Sequence, residues 1–278
     1  MTTKTHSFLH RYGPWAVVTG ASDGIGAAFA AELAAKGLNL VLVARRAERL
    51  HALSQELTRR YPIAVRVLPA DLASKSSASA LLAATADLDV GLLVAAAGFG
   101  SSGPALQTHD VTEAELVEVN CAAVLQQSLH FGRRLADRRR GGIVLLSSVL
   151  AFQGTPYSAN YAASKAYIQA LAEGLGEELR GAGVDVLSVA PGPIASGFAA
   201  RAQMQLGQTM TPAVVARVSL AALGKQRTVR PGWLSKVLGW GLSTAPRFLR
   251  VRIIGSIMKG MTSQQPPDPL RTPASRAE

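Results

Sequence analysis

Short apolar runs punctuate the chain, and each ends in a polar or glycine-rich turn. Residues 16–19, 38–43, 63–68, 90–97, 143–146 and 184–189 read in this way as strands. The second run, LNLVLV, is almost continuously apolar, the pattern of a strand buried on both faces of a parallel sheet. Longer segments with helical spacing separate the strands. After the first strand Ile25, Phe29 and Leu33 fall four apart, and further helices are predicted over 48–60, from about 72 to 86, and over 112–136, 158–180 and 212–223. Residues 228–230 predict a short last strand. Strict alternation of strand and helix predicts an α/β fold with a doubly wound parallel sheet. Ligands of such sheets gather beyond the carboxyl ends of the strands.

The polar residues worth singling out lie at those ends. TGASDGIG at 19–26 sets Gly20, Gly24 and Gly26 between a strand and a helix. The first amides of a helix lack intrahelical acceptors, and the helix dipole adds positive charge, so this turn is an anion site. Glycine supplies the backbone angles and lets a pyrophosphate come close. The spacing is G-x-x-x-G-x-G rather than G-x-G-x-x-G, and no Lys-Ser or Lys-Thr follows, which excludes a P-loop. The second strand ends in Ala44-Arg45-Arg46, where a dinucleotide fold meets the adenine ribose. An acid there would bind the 2′-hydroxyl; arginine suits a 2′-phosphate, so NADP(H) is expected over NAD. The bland alternative is that both arginines solvate the next helix. Asp71, just past the third strand, fits either an adenine contact or a helix cap. Gly98, after the fourth strand, allows backbone to approach a cofactor plane. Asn120 stands among apolar neighbours, where a buried amide ordinarily bonds locally.

Tyr161 and Lys165 lie four apart on a predicted helix, about 6 Å along its axis and on one face. Of the three tyrosines in this region, only Tyr161 has a cation one turn on; Tyr157 precedes Tyr161 by four and Tyr167 precedes Leu171. An ammonium about 4 Å from a phenol, at an effective dielectric of about 20, favours the phenolate by roughly 4 kcal/mol. A phenol pKa two to three units below its usual ~10 is therefore expected, within the range of general acid–base work.

Together these pieces resemble the short-chain dehydrogenase/reductase family over roughly residues 13–232. TGASDGIG resembles its cofactor turn and YAASK at 161–165 its catalytic helix; Ser148, thirteen before Tyr161, matches its catalytic serine better than Ser147 does. Asn120 in EVNCA matches the family's helix asparagine, Asp71-Leu72 its adenine contact, and PGPIAS at 191–196 its Pro-Gly loop, with Ser196 where threonine is usual. The resemblance implies a single Rossmann-type sheet flanked by helices and no metal. It implies that Tyr161 exchanges a proton with a substrate oxygen while the nicotinamide exchanges hydride. Lys165 lowers the phenol pKa and binds the nicotinamide ribose, Ser148 holds the substrate oxygen, and Asn120 orders a water beside Lys165. Gly20, Ser22, Asp23, Gly24, Ile25 and Gly26 line the phosphates and Arg45 the adenosine phosphate. Ala97, Gly98, Pro191, Gly192, Ile194 and Ser196 complete the cofactor site, with Ile194 at the carboxamide. One departure stands out: Ala95-Ala96-Ala97-Gly98 replaces Asn-Asn-Ala-Gly, which removes two bracing amides but no proton-transfer group. The branch most resembled reduces 3-oxoacyl thioesters and 17-keto steroids. The two long helices imply a homodimer or homotetramer.

Composition adds the chain's own character. Hydrophobic residues make up 48% of the 278, ample for one large core, and a lone Cys121 forbids an internal disulfide or a cysteine zinc site. Net charge is +11, concentrated from Lys225 onward, where ten Lys/Arg face two acids. A second run, 133–140, holds five arginines and reads as a solvated helix end. No aromatic platform accompanies either patch, so nucleic acid is not expected as a partner. No signal peptide or membrane span is apparent, and a cytoplasmic location is expected. Residues 1–12 are a lead-in, 13–232 the catalytic domain, 233–262 an amphipathic basic helical extension and 263–278 a disordered tail. The extension fits a membrane interface, or equally a helical flap over the substrate cleft or a subunit neighbour; either implies a lipophilic substrate. The segment 194–207 has no clean pattern and suggests a mobile substrate lid. Two readings compete: an NADP(H)-dependent oxidoreductase of a lipophilic ketone or secondary alcohol, and a catalytically weak cofactor-sensing binding protein.

Overall fold

The computed structural model describes residues 2–74, 76–202, 204–205, 207, 209–232 and 246–262, with side chains from residue 7 onward. Seven parallel strands form one sheet: β1 (Trp15–Thr19), β2 (Asn39–Ala44), β3 (Val65–Pro69), β4 (Val90–Ala95), β5 (Gly141–Leu146), β6 (Val184–Val189) and β7 (Thr228–Val229). Their order is β3-β2-β1-β4-β5-β6-β7. The chain winds outward from β1 to β3, then returns to lay β4 on the other side of β1. A crevice opens where that direction reverses. The third strand begins two residues later than its apolar pattern implies, because Ile63 N turns back to Tyr61 O at 2.9 Å.

Alternate residues of each central strand enter two separate cores. Ala16, Val18, Leu40, Leu42, Val144 and Leu146 face one side. There they meet α2 (Gly24–Ala34), α3 (Ala47–Arg60) and α9 (Pro212–Ala222) through Phe29, Leu33, Leu50, Leu57 and Val215. Val17, Val41, Val43, Ile143 and Leu145 face the other side. Their partners are α4 (Ser76–Ala84), α6 (Ala123–Arg138) and α7 (Ala159–Glu178), through Leu81, Phe131, Leu135 and Ile168. Burying each such side chain contributes about 1.5–3 kcal/mol, so double-sided burial fixes both the strand register and the helix layers.

The helix expected over 112–136 is not continuous. It runs as α5 (Asp110–Val117), a π-helical turn over Glu118–Ala122, then α6. The wider turn carries Asn120 inward, where it is fully buried. The N-terminal lead-in forms a helix of its own, α1 (Thr2–Tyr12), that the sequence did not signal. Arg11 grips Asp185 at the start of β6 with two bonds of 2.6 and 2.8 Å, and the Tyr12 hydroxyl donates to the same carboxylate at 2.6 Å. Burial pushes the Tyr12 hydroxyl above its ordinary range. Two members of the 133–140 arginine run are ties rather than a free patch. Arg134 donates to Thr85 O and Leu88 O, and Arg138 to Gly13 O and Asp89. A short helix α8 (Phe198–Arg201) interrupts the segment after β6, and α10 (Arg247–Thr262) closes the described chain. Residues 233–245, the first half of the amphipathic extension, and the tail from 263 lie outside the described residues. Among the described residues no helix is long and apolar enough to cross a membrane.

Asp185→Ala leaves the buried Tyr12 hydroxyl without its acceptor. A loss of about 1–3 kcal/mol is expected, read as a melting temperature several degrees lower in thermal denaturation.

Candidate active site

The glycine turn is shaped by contact with β4. Gly20 has φ +68°, and a Cβ there would lie 2.7 Å from Ala97 N; at Gly26 it would lie 2.3 Å from Gly20 O. No larger residue fits at either position. Asp23 caps α2, its Oδ1 accepting from Gly24 N at 2.7 Å. The first-turn amides of Ile25 and Gly26 are left without an intrahelical acceptor. The wall after β4, despite lacking asparagines, is held by backbone. Ala97 N donates to Thr19 Oγ1 at 3.3 Å, and the turn packs directly on Ala96 and Ala97.

A recess of about 500 Å³ opens from this turn across the ends of β2 and β3, and Gly20, Ser22, Asp23, Gly24, Ile25, Gly26, Arg45, Asp71, Leu72, Ala97, Gly98 and Ser196 all line it. The two arginines after β2 part company. Arg46 reaches the phosphate side, donating to Ser22 Oγ at 3.1 Å and facing Asp23 at 3.5 Å. Arg45 pairs with Glu115 at 3.2 Å. The structure adds two cations that the sequence left unmarked: Arg49, 3.4 Å from Asp23, and Arg201, stacked 3.8 Å over the Phe99 ring. Asp71 Oδ1 accepts from Ala73 N at 3.1 Å, a local turn that leaves its residue on the recess wall. These features fit a dinucleotide: bare amides and glycine backbone for a pyrophosphate, guanidinium groups for a further phosphate.

A second cavity, about 350 Å³, is lined by Ser148, Tyr161, Lys165, Pro191, Gly192 and Ile194 among largely apolar neighbours. It shares Ile25, Ala96, Gly98, Ser196 and Phe198 with the first, so the two meet at the carboxyl ends of β1 and β4. The Phe198 ring lies 5.3 Å from that of Tyr161. Ser148 Oγ accepts from Leu150 N at 3.2 Å, and the side chain lines the same cavity as Tyr161. Lys165 Nζ donates to Leu146 O at 2.8 Å and sits 5.7 Å from the Tyr161 ring centre. Ser147, in the lining of the same cavity, donates its hydroxyl to Lys165 O at 3.0 Å. Asn120 lines neither cavity. Its amide exchanges bonds with Phe99 N and O and donates to Ser164 Oγ, so it bonds locally and braces the floor behind Gly98. A Cβ on Gly98 would come 2.9 Å from Asn120 Oδ1 and 3.4 Å from Lys165 Nζ.

The expected depression of the phenol pKa is corrected by the geometry. Burial pushes the Tyr161 hydroxyl up to about 12, with the Ser148 bond opposing. Burial also pulls the Lys165 ammonium down to about 8. Desolvation outweighs attraction between the pair because each group has left water, and the Lys165 donor is turned to a carbonyl. In the free protein the phenol is neutral.

The outer wall of this cavity comes from α10, which the sequence could not place. Arg250, Ile254, Ile257, Met258 and Met261 line it, and Gly255 packs on Pro156, where a Cβ would lie 3.0 Å away. The described half of the extension is therefore a flap over the cleft. The segment expected as a lid supplies Phe198 and Met204 to the lining and is tied by Ala195 N to Met210 O at 3.0 Å.

Comparison with known proteins agrees with this architecture. The short chain dehydrogenase family model matches residues 14–206. The 7β-hydroxysteroid dehydrogenase of Collinsella aerofaciens is 31% identical over 208 residues, 75% of this chain and 73% of that protein. The very-long-chain 3-oxoacyl-CoA reductase of Pyricularia oryzae is 34% identical over 238 residues, covering 82% and 72%. A solved 7β-hydroxysteroid dehydrogenase structure superposes with a TM-score of 0.83 at 27% identity, covering 89% of this chain and 98% of that one. A short-chain dehydrogenase from Sphingobium yanoikuyae, solved in complex with NADPH, gives 0.77 at 28%, covering 92% and 99%. With the sheet order, the glycine turn and the facing serine, tyrosine and lysine all in place, the chain belongs to the short-chain dehydrogenase family.

Proposed function

We propose that the protein is an NADP(H)-dependent oxidoreductase that interconverts a lipophilic ketone and its secondary alcohol, with Tyr161 as general acid and base. The observation that carries this reading is the junction of the two cavities. An arginine-rich recess fit for a dinucleotide opens onto an apolar chamber where the Ser148 and Tyr161 hydroxyls meet. A nicotinamide held there would supply hydride from its C4 to the carbonyl carbon. The neutral Tyr161 phenol gives its proton to the carbonyl oxygen, and the Ser148 hydroxyl holds that oxygen as charge develops on it. The phenolate left behind faces the Lys165 ammonium. Lys165 Nζ, 5.7 Å from the Tyr161 ring centre, favours that charge by attraction. Thus Lys165 acts on the product of proton transfer more than on the resting phenol. Asn120 positions Gly98 and Ser164 around it. The preference for NADP(H) over NAD rests on Arg45, Arg46 and Arg49 with no acid at the end of β2. The NADPH-bound relative and the steroid and 3-oxoacyl-CoA relatives support cofactor and substrate class alike.

Two further parts of the reading concern surfaces. The outward side of α10 exposes Phe248, Leu249 and Ile253 beside Arg247, Arg252 and Lys259, which supports peripheral contact with an anionic membrane. Exposed Val117, Leu129 and Tyr167 on α5, α6 and α7 support assembly into a homodimer or homotetramer.

Tyr161→Phe is expected to lower NADPH-dependent reduction of keto-lipids, keto-steroids or 3-oxoacyl thioesters by at least a hundredfold while NADPH binding persists. Full turnover in that variant would defeat the assignment, and no turnover by the parent protein with any ketone would favour the cofactor-sensing alternative. Arg46→Asp should shift discrimination toward NADH more than Arg45→Asp does, since Arg46 faces the phosphate turn; comparing kcat/KM for both cofactors checks this. The pH dependence has a defined sign. Reduction needs the protonated phenol and the ammonium together, so the rate should hold below pH ~8 and fall above it as Lys165 loses its proton. A profile of kcat in which Lys165→Arg carries the plateau to higher pH is the expected outcome.

A further inference from the structure

Three carboxylates line the nucleotide recess: Asp23, Asp71 and Glu115. Two of them hold backbone in place. Asp23 Oδ1 accepts from Gly24 N, and Asp71 Oδ1 from Ala73 N. Glu115, on α5, has no such task among the described residues. Its Oε1 accepts from two guanidinium groups that come from distant parts of the chain. Arg45 Nη1 reaches it at 3.2 Å from the end of β2, and Arg201 Nη2 at 3.3 Å from α8. Burial and the like charge of Arg45 together pull the Arg201 guanidinium below its ordinary range. Two guanidinium groups drawn together need an anion between them. A phosphate, with more charge and more acceptor oxygens than one carboxylate, satisfies both better. Arg201 is also held by more than Glu115. Its guanidinium carbon lies 3.8 Å over the Phe99 ring, and Ser102 Oγ ties the end of α8 by donating to Ala202 O at 2.6 Å. Stacking on an aromatic face leaves the N–H edge of a guanidinium for hydrogen bonds, and here Glu115 takes it.

We propose that Arg201 is a phosphate ligand for the dinucleotide, and that the Glu115 carboxylate stands in for that phosphate in the free protein. This rests on the dinucleotide reading above and adds to it a cation from the segment after β6, with a built-in competitor. On binding, a cofactor phosphate takes over the guanidinium edge of Arg201, and Arg45, held on the same oxygen, is released with it. The Glu115 carboxylate passes to water, which it already meets, since its side chain keeps 31% of its surface exposed. Competition of this kind lowers cofactor affinity and speeds release, while it keeps two like charges from repelling each other in the free protein. The pyrophosphate and the 2′-phosphate of NADP(H) offer the same chemistry to Arg201.

The test is calorimetric titration of NADPH and of NADH, without substrate, into the full chain and into Arg201→Met, Arg201→Lys, Glu115→Gln and the double variant Glu115→Gln/Arg201→Met. Arg201→Met should weaken NADPH binding roughly 10-fold and Arg201→Lys less, while Glu115→Gln should tighten it about 3- to 10-fold. The gain from Glu115→Gln should shrink when Arg201→Met is added, because the two residues act through one contact. A loss in Arg201→Met confined to NADPH assigns Arg201 to the 2′-phosphate; an equal loss for NADH assigns it to the pyrophosphate. Binding of both dinucleotides that is unchanged in Arg201→Met, or binding that is no tighter in Glu115→Gln than in the parent, overturns the proposal. Arg201 and Glu115 are then a surface tie between α8 and α5, and the dinucleotide reading stands. If the parent protein binds neither dinucleotide, that reading fails and the proposal falls with it.

Discussion

The whole site depends on how closely the turn after β1 approaches the backbone after β4. With Gly20 at positive φ and its Cα against Ala96 and Ala97, the start of α2 is drawn to the edge of the sheet where winding reverses. Gly26 folds the first helical turn back over Gly20 O, a spacing that any side chain would break. The approach leaves the first amides of α2 facing a recess rather than packed into protein. It also sets Ile25 and Gly24 beside the chamber served by α7. The recess and the chamber are thereby held against one frame.

Burial, more than attraction between charges, sets the electrostatic character of the chamber. Tyr161 and Lys165 are both shifted toward their neutral forms, Tyr161 up and Lys165 down, because both have lost water. The phenol is thus neutral at rest, and the lysine is anchored to Leu146 O. The adjoining recess works differently. Its guanidinium groups of Arg45, Arg46, Arg49 and Arg201 are spread over Asp23 and Glu115, so its wall carries more positive than negative charge. One cavity is lined by charged groups and the other by largely apolar ones, and the two share a wall at Phe198 and Gly98.

The departure at the fourth strand shows how this frame tolerates change. Where two asparagines would brace the strand end, Ala95 and Ala96 stand, and the function passes to backbone contact and to Thr19 Oγ1. Asn120 contributes from behind, bonding both polar groups of Phe99. Its place in a π-helical turn explains how a helix residue reaches the sheet edge without a loop to carry it there.

The sequence by itself determined the sheet, its layers and the glycine turn and helix face that line the candidate site. A period of two in the strands, near-continuous apolarity in β2, the glycine spacing and the Tyr161–Lys165 interval are local properties, and local patterns survive in a linear reading. Residues acting across long separations were decided only by the tertiary structure. Arg46 rather than Arg45 faces Ser22, Arg201 joins the recess, and α10 covers the chamber with Ile254 and Met258, because crossovers and a C-terminal return bring distant segments together. The break near Asn120 and the fold of the first residues onto Asp185 also escaped pattern. Each depends on a partner at the far end of the chain's path, whose position no spacing encodes. The sign of the Tyr161 shift belongs to the same class: two residues four apart announce a possible attraction, but only three-dimensional packing decides how much water each has lost.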